Sequence, residues 1–387
     1  MRIRPVRAGD EAAIASLWQY WFRNKTRTPE PGLSDLARRL YLEHPNRDPQ
    51  VTSLVAEGDG GTMLGFLGVT VTPVLVDGES ATLAGVFPPV VDPEASPTVA
   101  SFLLRKFLTG PQALTFSDGG HVKYEPIWEA LGGAIGQLQS LRWVKLFRPL
   151  ELGASMLAER PGGELWLPLA RAVARGGDGL ARLAAPARLR AGTSPYRGEP
   201  LTPESLIEAV AAVHAGARLR PAYTPAYLRW LLDEMARATE QGALSATLVR
   251  DERGRVAGWH IGYLRPGGVC RIFALEAHER SLGGVIDHLF AAADAAGCGA
   301  LIGRLGPRLR RPMAARGCLV YAGGSLLMVH THDLRLLDDA LLGRLAISRL
   351  EGENWYWWRI VGKLPSRGKT SSRGQLSRTG KRSTDRI

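Results

Sequence analysis

The sequence predicts an α/β (α+β) fold built from two successive, similar units, each a mixed, mainly antiparallel sheet flanked by helices. Three observations carry this reading. There is an internal repeat with a period of roughly 200 residues, the order of helix and strand patterns is the same in both copies, and the composition shifts between them. The units are placed at 1–150 and 200–362. A helical, Pro-rich linker joins them over 151–199, and a basic tail follows over 363–387.

In the first copy Asp10 stands as a helix N-cap, and Ile14, Leu17, Trp18 and Trp21 follow at the i, i+3, i+4, i+7 spacing of one apolar helix face. A second helix is expected over Leu33–Tyr41. Leu54-Val55-Ala56-Glu57 then turns through Gly58-Asp59-Gly60-Gly61 into Leu64-Gly65-Phe66-Leu67-Gly68, two apolar strands joined by a glycine-rich hairpin. Asp77-Gly78 turns into a further strand expected over Ala81–Val91, which stops at Asp92-Pro93. A helix over Pro97–Leu108, a strand at Leu114–Phe116 and a helix through Ile127–Leu131, closed by Gly132-Gly133, complete the copy.

The second copy repeats the order. Thr202-Pro203-Glu204 caps a helix with Leu206, Val210 and Val213 on one face, and Thr224-Pro225 opens another through Tyr227, Leu228 and Leu231. Leu248–Asp251 turns over Glu252–Arg255 into Ala257–Gly262, the same hairpin again. Strand Val269–Leu275, helix Gly283–Ala296, strand Ala300–Gly303, a short helix near Met313 and strand Leu319–Val329 follow. The linker carries a helix over Pro168–Leu183. The aromatic run Trp355-Tyr356-Trp357-Trp358 marks a final element that docks by burying its rings.

Composition excludes several classes. At 45% hydrophobic the 387-residue chain is too apolar to be disordered, yet no apolar run reaches the roughly 18 residues that span a bilayer. Charges at Arg2, Arg4 and Arg7 stand where a signal peptide needs an apolar stretch, so a cytoplasmic protein with no membrane partner is expected. The net charge of +12 divides unevenly: the tail from Lys363 to Arg386 has eight Lys/Arg and one Asp, leaving +5 for the body. That tail is expected to be disordered, and with no aromatic residue among its cations to stack on bases, nucleic acid is not an expected partner. Three cysteines, Cys270, Cys298 and Cys318, without a C-x-x-C pair rule out a disulfide framework and a cysteine zinc site; they read as small buried residues.

Other motifs fall away on spacing. Gly362 stands one residue too far from Gly368-Lys369-Thr370 for a phosphate loop, and Gly297, Gly299 and Gly303 miss the dinucleotide fingerprint. His330, His332 and Asp333 lack a further ligand, so no metal is expected. The absence of lysine between Lys145 and Lys363 excludes Schiff-base chemistry in the second copy. Arg304, Arg308, Arg310 and Arg311 form the densest basic cluster of the body, read either as a solvated turn or as an attractor for anionic ligands.

The order of two helices, a hairpin, a third strand, a helix opening at a ligand loop, then strand, helix and strand resembles the GNAT acyltransferase superfamily. Ile3-Arg4-Pro5 to Asp10-Glu11, Val91-x-Pro93 and Trp128-Glu129-Ala130-Leu131-Gly132-Gly133 resemble that family's start, central strand end and final helix. The resemblance covers nearly all of residues 1–350, as a tandem repeat. It implies transfer of an acyl group from acetyl-CoA, or another acyl-CoA, to a small-molecule or peptide amine, with no metal. The family's CoA loop, V-x-P-x-x-R-x-x-G-x-G, is divided between the copies. The first keeps Val91 and Pro93 but has Ser96, Val99 and Ser101 at the Arg and Gly positions. The second keeps Arg280 and Gly283, with Gly284 beside it and Val285 at the last Gly position. The family's tyrosine acid is replaced by Trp128 and Met313, which leaves Tyr124, one turn before Trp128, as the substitute acid and Glu276 as the base. Two alternatives stay open: a non-catalytic GNAT-fold binding or scaffold protein, and Fem-type aminoacyl transfer from charged tRNA. The acceptor, the acyl length and the oligomeric state are left undetermined.

Overall fold

The computed structural model describes residues 1–158 and 167–362. The tail at 363–387, expected to be disordered, and linker residues 159–166 lie outside the described residues. The chain begins with β1 (Arg2–Pro5), α1 (Glu11–Trp18), α2 (Leu33–Tyr41), β2 (Leu54–Glu57) and β3 (Met63–Leu67). Asp10 precedes α1 but does not cap it with its side chain. Its carboxylate instead takes two 2.8 Å hydrogen bonds from Arg4 and one from the Arg7 amide, because a guanidinium fork competes successfully for a short acceptor.

The strand after the first hairpin continues beyond Gly68 as β4 (Val69–Val76). Gly68 marks the break, since a Cβ there would collide with the Tyr41 ring. The strand expected over Ala81–Val91 is likewise divided, into β5 (Glu79–Val86) and β6 (Val90–Val91). The first half therefore holds two sheets, one ordered β1-β2-β3-β6 and one built on β4 and β5. It continues through α3 (Thr98–Leu108), β7 (Leu114–Gly120), α4 (Glu125–Ala130), β8 (Ala134–Gly136) and β9 (Leu141–Leu146).

α5 (Pro149–Ala158), α6 (Leu167–Ala184) and α7 (Pro186–Leu189) precede the second half. That half runs β10 (Arg197–Pro200), α8 (Pro203–Val213), β11 (Leu219–Pro221), α9 (Pro225–Ala236), β12 (Ala243–Arg250), β13 (Val256–Leu264), β14 (Val269–Ala277) and α10 (Leu282–Ala295). β15 (Ala300–Arg304), α11 (Arg310–Ala315), β16 (Leu319–Ala322), β17 (Leu326–His330), α12 (Leu334–Leu341) and α13 (Asn354–Val361) end the described chain. The Thr202 and Thr224 caps form as the sequence indicates, each hydroxyl accepting from the amide three residues on.

The halves interlock. The single strand expected over Leu319–Val329 is in fact two strands in different sheets. β16 edges a seven-stranded sheet, β10-β12-β13-β14-β15-β9-β16, whereas β17 lies inside a six-stranded one, β11-β4-β5-β7-β17-β8. Each half thus lends its last strand to the other: β9 pairs antiparallel with β15 and β16, and β17 with β7 and β8. The core is shared too. Trp18, Tyr41 and Phe87 of the first half belong to one apolar cluster with Tyr227, Trp259, Trp355 and Tyr356. Separating the halves breaks both exchanged ladders and exposes this cluster.

The cysteine reading needs correction. Cys270 on β14 and Cys298 just before β15 are joined by a disulfide, with Cα atoms 6.4 Å apart, both fully buried; Cys318 is free and half-buried. Residues 28 apart in sequence meet because β14 and β15 pair in parallel, which returns the chain to the same end of the sheet. Among the described residues no helix is long and apolar enough to cross a membrane.

Candidate functional site

β14 and β15 are hydrogen-bonded only between Val269–Arg271 and Ala300–Ile302, after which they part. β14 stays bound to β13 on its other side, through a register irregularity at Ile261/Gly262. The divergence leaves an open cleft of about 110 Å³ lined by Phe273, Leu275 and Glu276 of β14, Arg304 of β15, Arg308 and Ser348. Alternation along the strand decides what faces it. Leu275 and Ala277 pack in the apolar cluster beneath α10, so Glu276 points to the opposite face of the sheet.

α10 opens at the end of β14. Its preceding residue Ser281 makes no side-chain cap, and Arg280 is exposed and without an ion pair among the described residues. Gly284 is required here, because a Cβ would collide with the ring of Tyr196, which lies against the first turn. The Gly283 carbonyl accepts 3.0 Å from Arg316, whose guanidinium also forks onto Asp287 at 2.6 and 2.7 Å. A helix start with leading amides, flanked by a free cation, is suited to an anionic group such as a pyrophosphate.

Glu276 sits 3.6 Å from His214 Nε2 and 3.6 Å from Arg308 Nη1. Burial pushes its carboxyl up to about 7, against the opposing pull of Arg308. Burial also lowers His214, to about 4, with Arg308 adding to the effect, so the imidazole is neutral beside the carboxyl at neutral pH. Behind them the Tyr223 hydroxyl donates to Glu351, and the other Glu351 oxygen accepts from the Ser348 amide at 2.7 Å and its hydroxyl at 2.9 Å. Burial raises both Tyr223 and Glu351. A carboxyl that titrates near neutrality on the wall of a cleft is equipped to take a proton from an ammonium group.

The first half has the equivalent divergence, but it is filled. β5 and β7 pair only between Leu83–Gly85 and Leu114–Phe116. Beyond them the segment before α13 enters the gap: Glu353 accepts from the Ser117 hydroxyl, from the Asp118 amide at 3.1 Å and from the Gly119 amide at 2.7 Å. Gly85 is needed for this approach, as a Cβ would collide with the Glu351 carbonyl. Asp118 accepts 2.8 Å from Arg349 Nε and 3.2 Å from the Asn354 amide. Arg349 holds the Asp118 carboxyl below the usual range despite burial, while burial and the Asp118 charge raise Glu353.

The sequence-derived residues fall into two separate groups. Glu276 lines the second-half cleft, and Arg280, Gly283 and Gly284 stand at the start of α10, which follows β14. Val91, Pro93 and Tyr124 lie in the first half. There the Val91 carbonyl accepts 2.6 Å from Trp21 Nε1, Asp92 forks onto Arg27 at 2.6 and 3.1 Å, and Pro93 is exposed in the turn. The Val99 side chain is buried against Gly65, where a Cβ would stand 2.9 Å from it. Tyr124 donates 2.8 Å to the Pro89 carbonyl, and burial raises its phenol. Tyr124 and Glu276 are thus not brought into one site. Trp128 and Met313 are core residues at 2% and 0% exposure, the former donating 2.8 Å to the Val329 carbonyl. His214, Tyr223, Ser348, Arg349 and Glu351 went unnoticed in the sequence. Only the acidic pair at Glu351 and Glu353, set before the aromatic run, offered a signal.

No protein-family model and no curated protein matches the chain. Solved structures do. A conserved protein of unknown function from Enterococcus faecalis V583, described as a probable N-acyltransferase, is similar over 84% of this chain and 72% of its own, with a TM-score of 0.53 and 12% identity. A GCN5-related N-acetyltransferase from Anabaena variabilis is similar over 86% and 73%, at 0.53 and 10% identity. One from Kribbella flavida is similar over 85% and 70%, at 0.50 and 15% identity. With the diverging parallel strands, the helix that opens beside them and helix-flanked mixed sheets matched over most of its length, the chain has the GNAT fold.

Proposed function

We propose that the chain is an acyl-CoA-dependent N-acyltransferase whose donor and acceptor meet between β14 and β15. The observation that carries this is Glu276, a carboxyl titrating near 7 on the wall of the open cleft, on the strand that leads into α10. In this reading the pyrophosphate of CoA rests on the leading amides of α10 beside Arg280, and the pantetheine arm passes down the gap between the strands. The amine approaches from the opposite face. Glu276 removes a proton from the ammonium group, the nitrogen lone pair attacks the thioester carbonyl, and the carbon–sulfur bond breaks as the excess proton on nitrogen passes to the departing CoA sulfur. Arg308, on the cleft wall, supports the negative charge as it forms. No tyrosine stands at the position of the family's acid, so alignment of amine and thioester supplies a large share of the rate. The first half, with Glu353 in its gap and Asp92 and Glu94 on its loop, acts as a scaffold.

Acetyl-CoA is the first donor to test. At a hundred times its dissociation constant it should stabilise the protein by about 2.7 kcal/mol. The expected result is a clear rise in unfolding temperature that is much reduced in Arg280→Ala and unchanged in Val91→Asp. No rise with acetyl-CoA or longer acyl-CoAs would overturn the donor assignment. A rise that survives Arg280→Ala and disappears in Val91→Asp would move the site to the first half.

A further inference from the structure

Arg304 carries chemistry that the reaction above does not require. It is the last residue of β15, and because Leu301 and Leu305 pack beneath α10, its side chain emerges on the same face of the sheet as Glu276. Both side chains line the cleft. One guanidinium nitrogen, Nη2, donates 3.1 Å to the Ile347 carbonyl. The other, Nη1, is buried without a hydrogen-bond partner among the described residues, and Arg304 forms no ion pair there. The nearby Asp118 offsets the Arg304 charge through space, but its hydrogen bonds come from Arg349 and the Asn354 amide, so Nη1 is left without an acceptor. Arg308 is tied to the Ala277 carbonyl at 2.6 Å and flanks Glu276.

A buried guanidinium with an orphan donor is costly unless an anion completes it. Resting on the acyltransferase reading, we propose that the acceptor is a small amine that also carries a carboxylate, an amino acid, with Arg304 binding the carboxylate while Glu276 faces the amine. The arrangement fits a monoanion. Nη1 is the guanidinium nitrogen that is buried without a partner, and Glu276 contributes negative charge of its own once ionised, which disfavours a more highly charged group at that point. The carboxylate belongs to the acceptor, because Arg304 emerges on the Glu276 face and α10, with the pyrophosphate position, lies on the other.

The test uses the full chain and matched acceptors: free amino acids, each beside its carboxamide and its decarboxylated amine, with the acyl-CoA that raises the unfolding temperature. The acids should be preferred roughly 10- to 100-fold in kcat/KM, the range of a charge-assisted hydrogen bond. In Arg304→Gln that preference should fall to within about 3-fold, through KM, with the acyl-CoA-induced rise in unfolding temperature intact. Arg304→Lys, which keeps the charge without the fork, should retain part of the preference and guards against a folding defect in the first variant. Equal use of acid and amide by the unaltered protein, or a preference that survives Arg304→Gln, overturns the proposal while leaving the transferase reading in place. If no acyl-CoA is turned over, the same pairs are read by thermal unfolding. An acid-selective rise lost in Arg304→Gln keeps the carboxylate site and sinks the transferase reading; no acid-selective rise overturns the site as well.

Discussion

Replacing Glu276 with Gln should lower kcat/KM by about 10²- to 10⁴-fold, the range associated with loss of a positioned general base. Acyl-CoA binding should be unaffected, since the side chain points away from α10. The pH dependence carries a second signature. The base works only when ionised, and burial holds its pKa near 7, so the rate of the unaltered enzyme should climb as pH rises through neutrality. The Gln variant should show no such limb. Stability should move in the opposite sense. A carboxyl whose folded-state pKa is raised contributes stability that is fully present below its unfolded value of 4.5 and is lost as pH rises through about 7. Glu276→Gln should therefore match the parent in acid and exceed it in stability above neutrality. Unchanged activity across this range in the variant would remove Glu276 from the mechanism.

Arg349→Ala should destabilise the fold by about 3–5 kcal/mol, the cost of leaving a buried charge without its partner. The pair links residues 231 apart, at 2.8 Å, with 10% and 0% of the Arg349 and Asp118 side chains exposed. Asp118 stays ionised in the interior chiefly because Arg349 is there. Its folded-state pKa is depressed, so the pair's contribution is present above pH 3.8 and fades as pH falls through the lower folded value. Adding salt should not mimic the substitution, because a buried pair is little screened. Replacing both partners, as Asp118→Asn with Arg349→Met, should recover much of the loss. By contrast Arg229→Ala, which removes a pair with both side chains 59% exposed, should cost about 0–1 kcal/mol. An Arg349→Ala variant within about 1 kcal/mol of the parent in chemical denaturation would contradict this account.

Local features of the chain were legible from its sequence, and long-range ones were not. The two hairpins, the proline-opened helices at Thr202 and Thr224 and the glycine stop at Gly132 are written in adjacent residues, and they appear in the structure where those residues put them. The aromatic run does dock, as α13, with Trp355 and Tyr356 buried. By contrast nothing in Leu141–Leu146 or Leu326–His330 distinguishes a strand that stays in its own sheet from one that joins the other. The exchange is decided by which gap each strand fills. The disulfide escaped notice for the same reason. At the candidate site, Glu276 reads as an ordinary strand-end carboxylate. Its altered titration comes from burial and from the Glu351 charge, in a surround that includes Ala346–Glu351 and His214, which lie far away in sequence.

Hydrogen exchange of the full chain with and without saturating acetyl-CoA locates the donor site without assuming any acceptor. Opening of a ligand-bound segment is suppressed in proportion to the binding free energy. The account predicts slower exchange over Ile272–Gly284, where β14 runs into α10, and no change over Val91–Thr98. Protection confined to Val91–Thr98, or none in either segment at a saturating concentration, would contradict it.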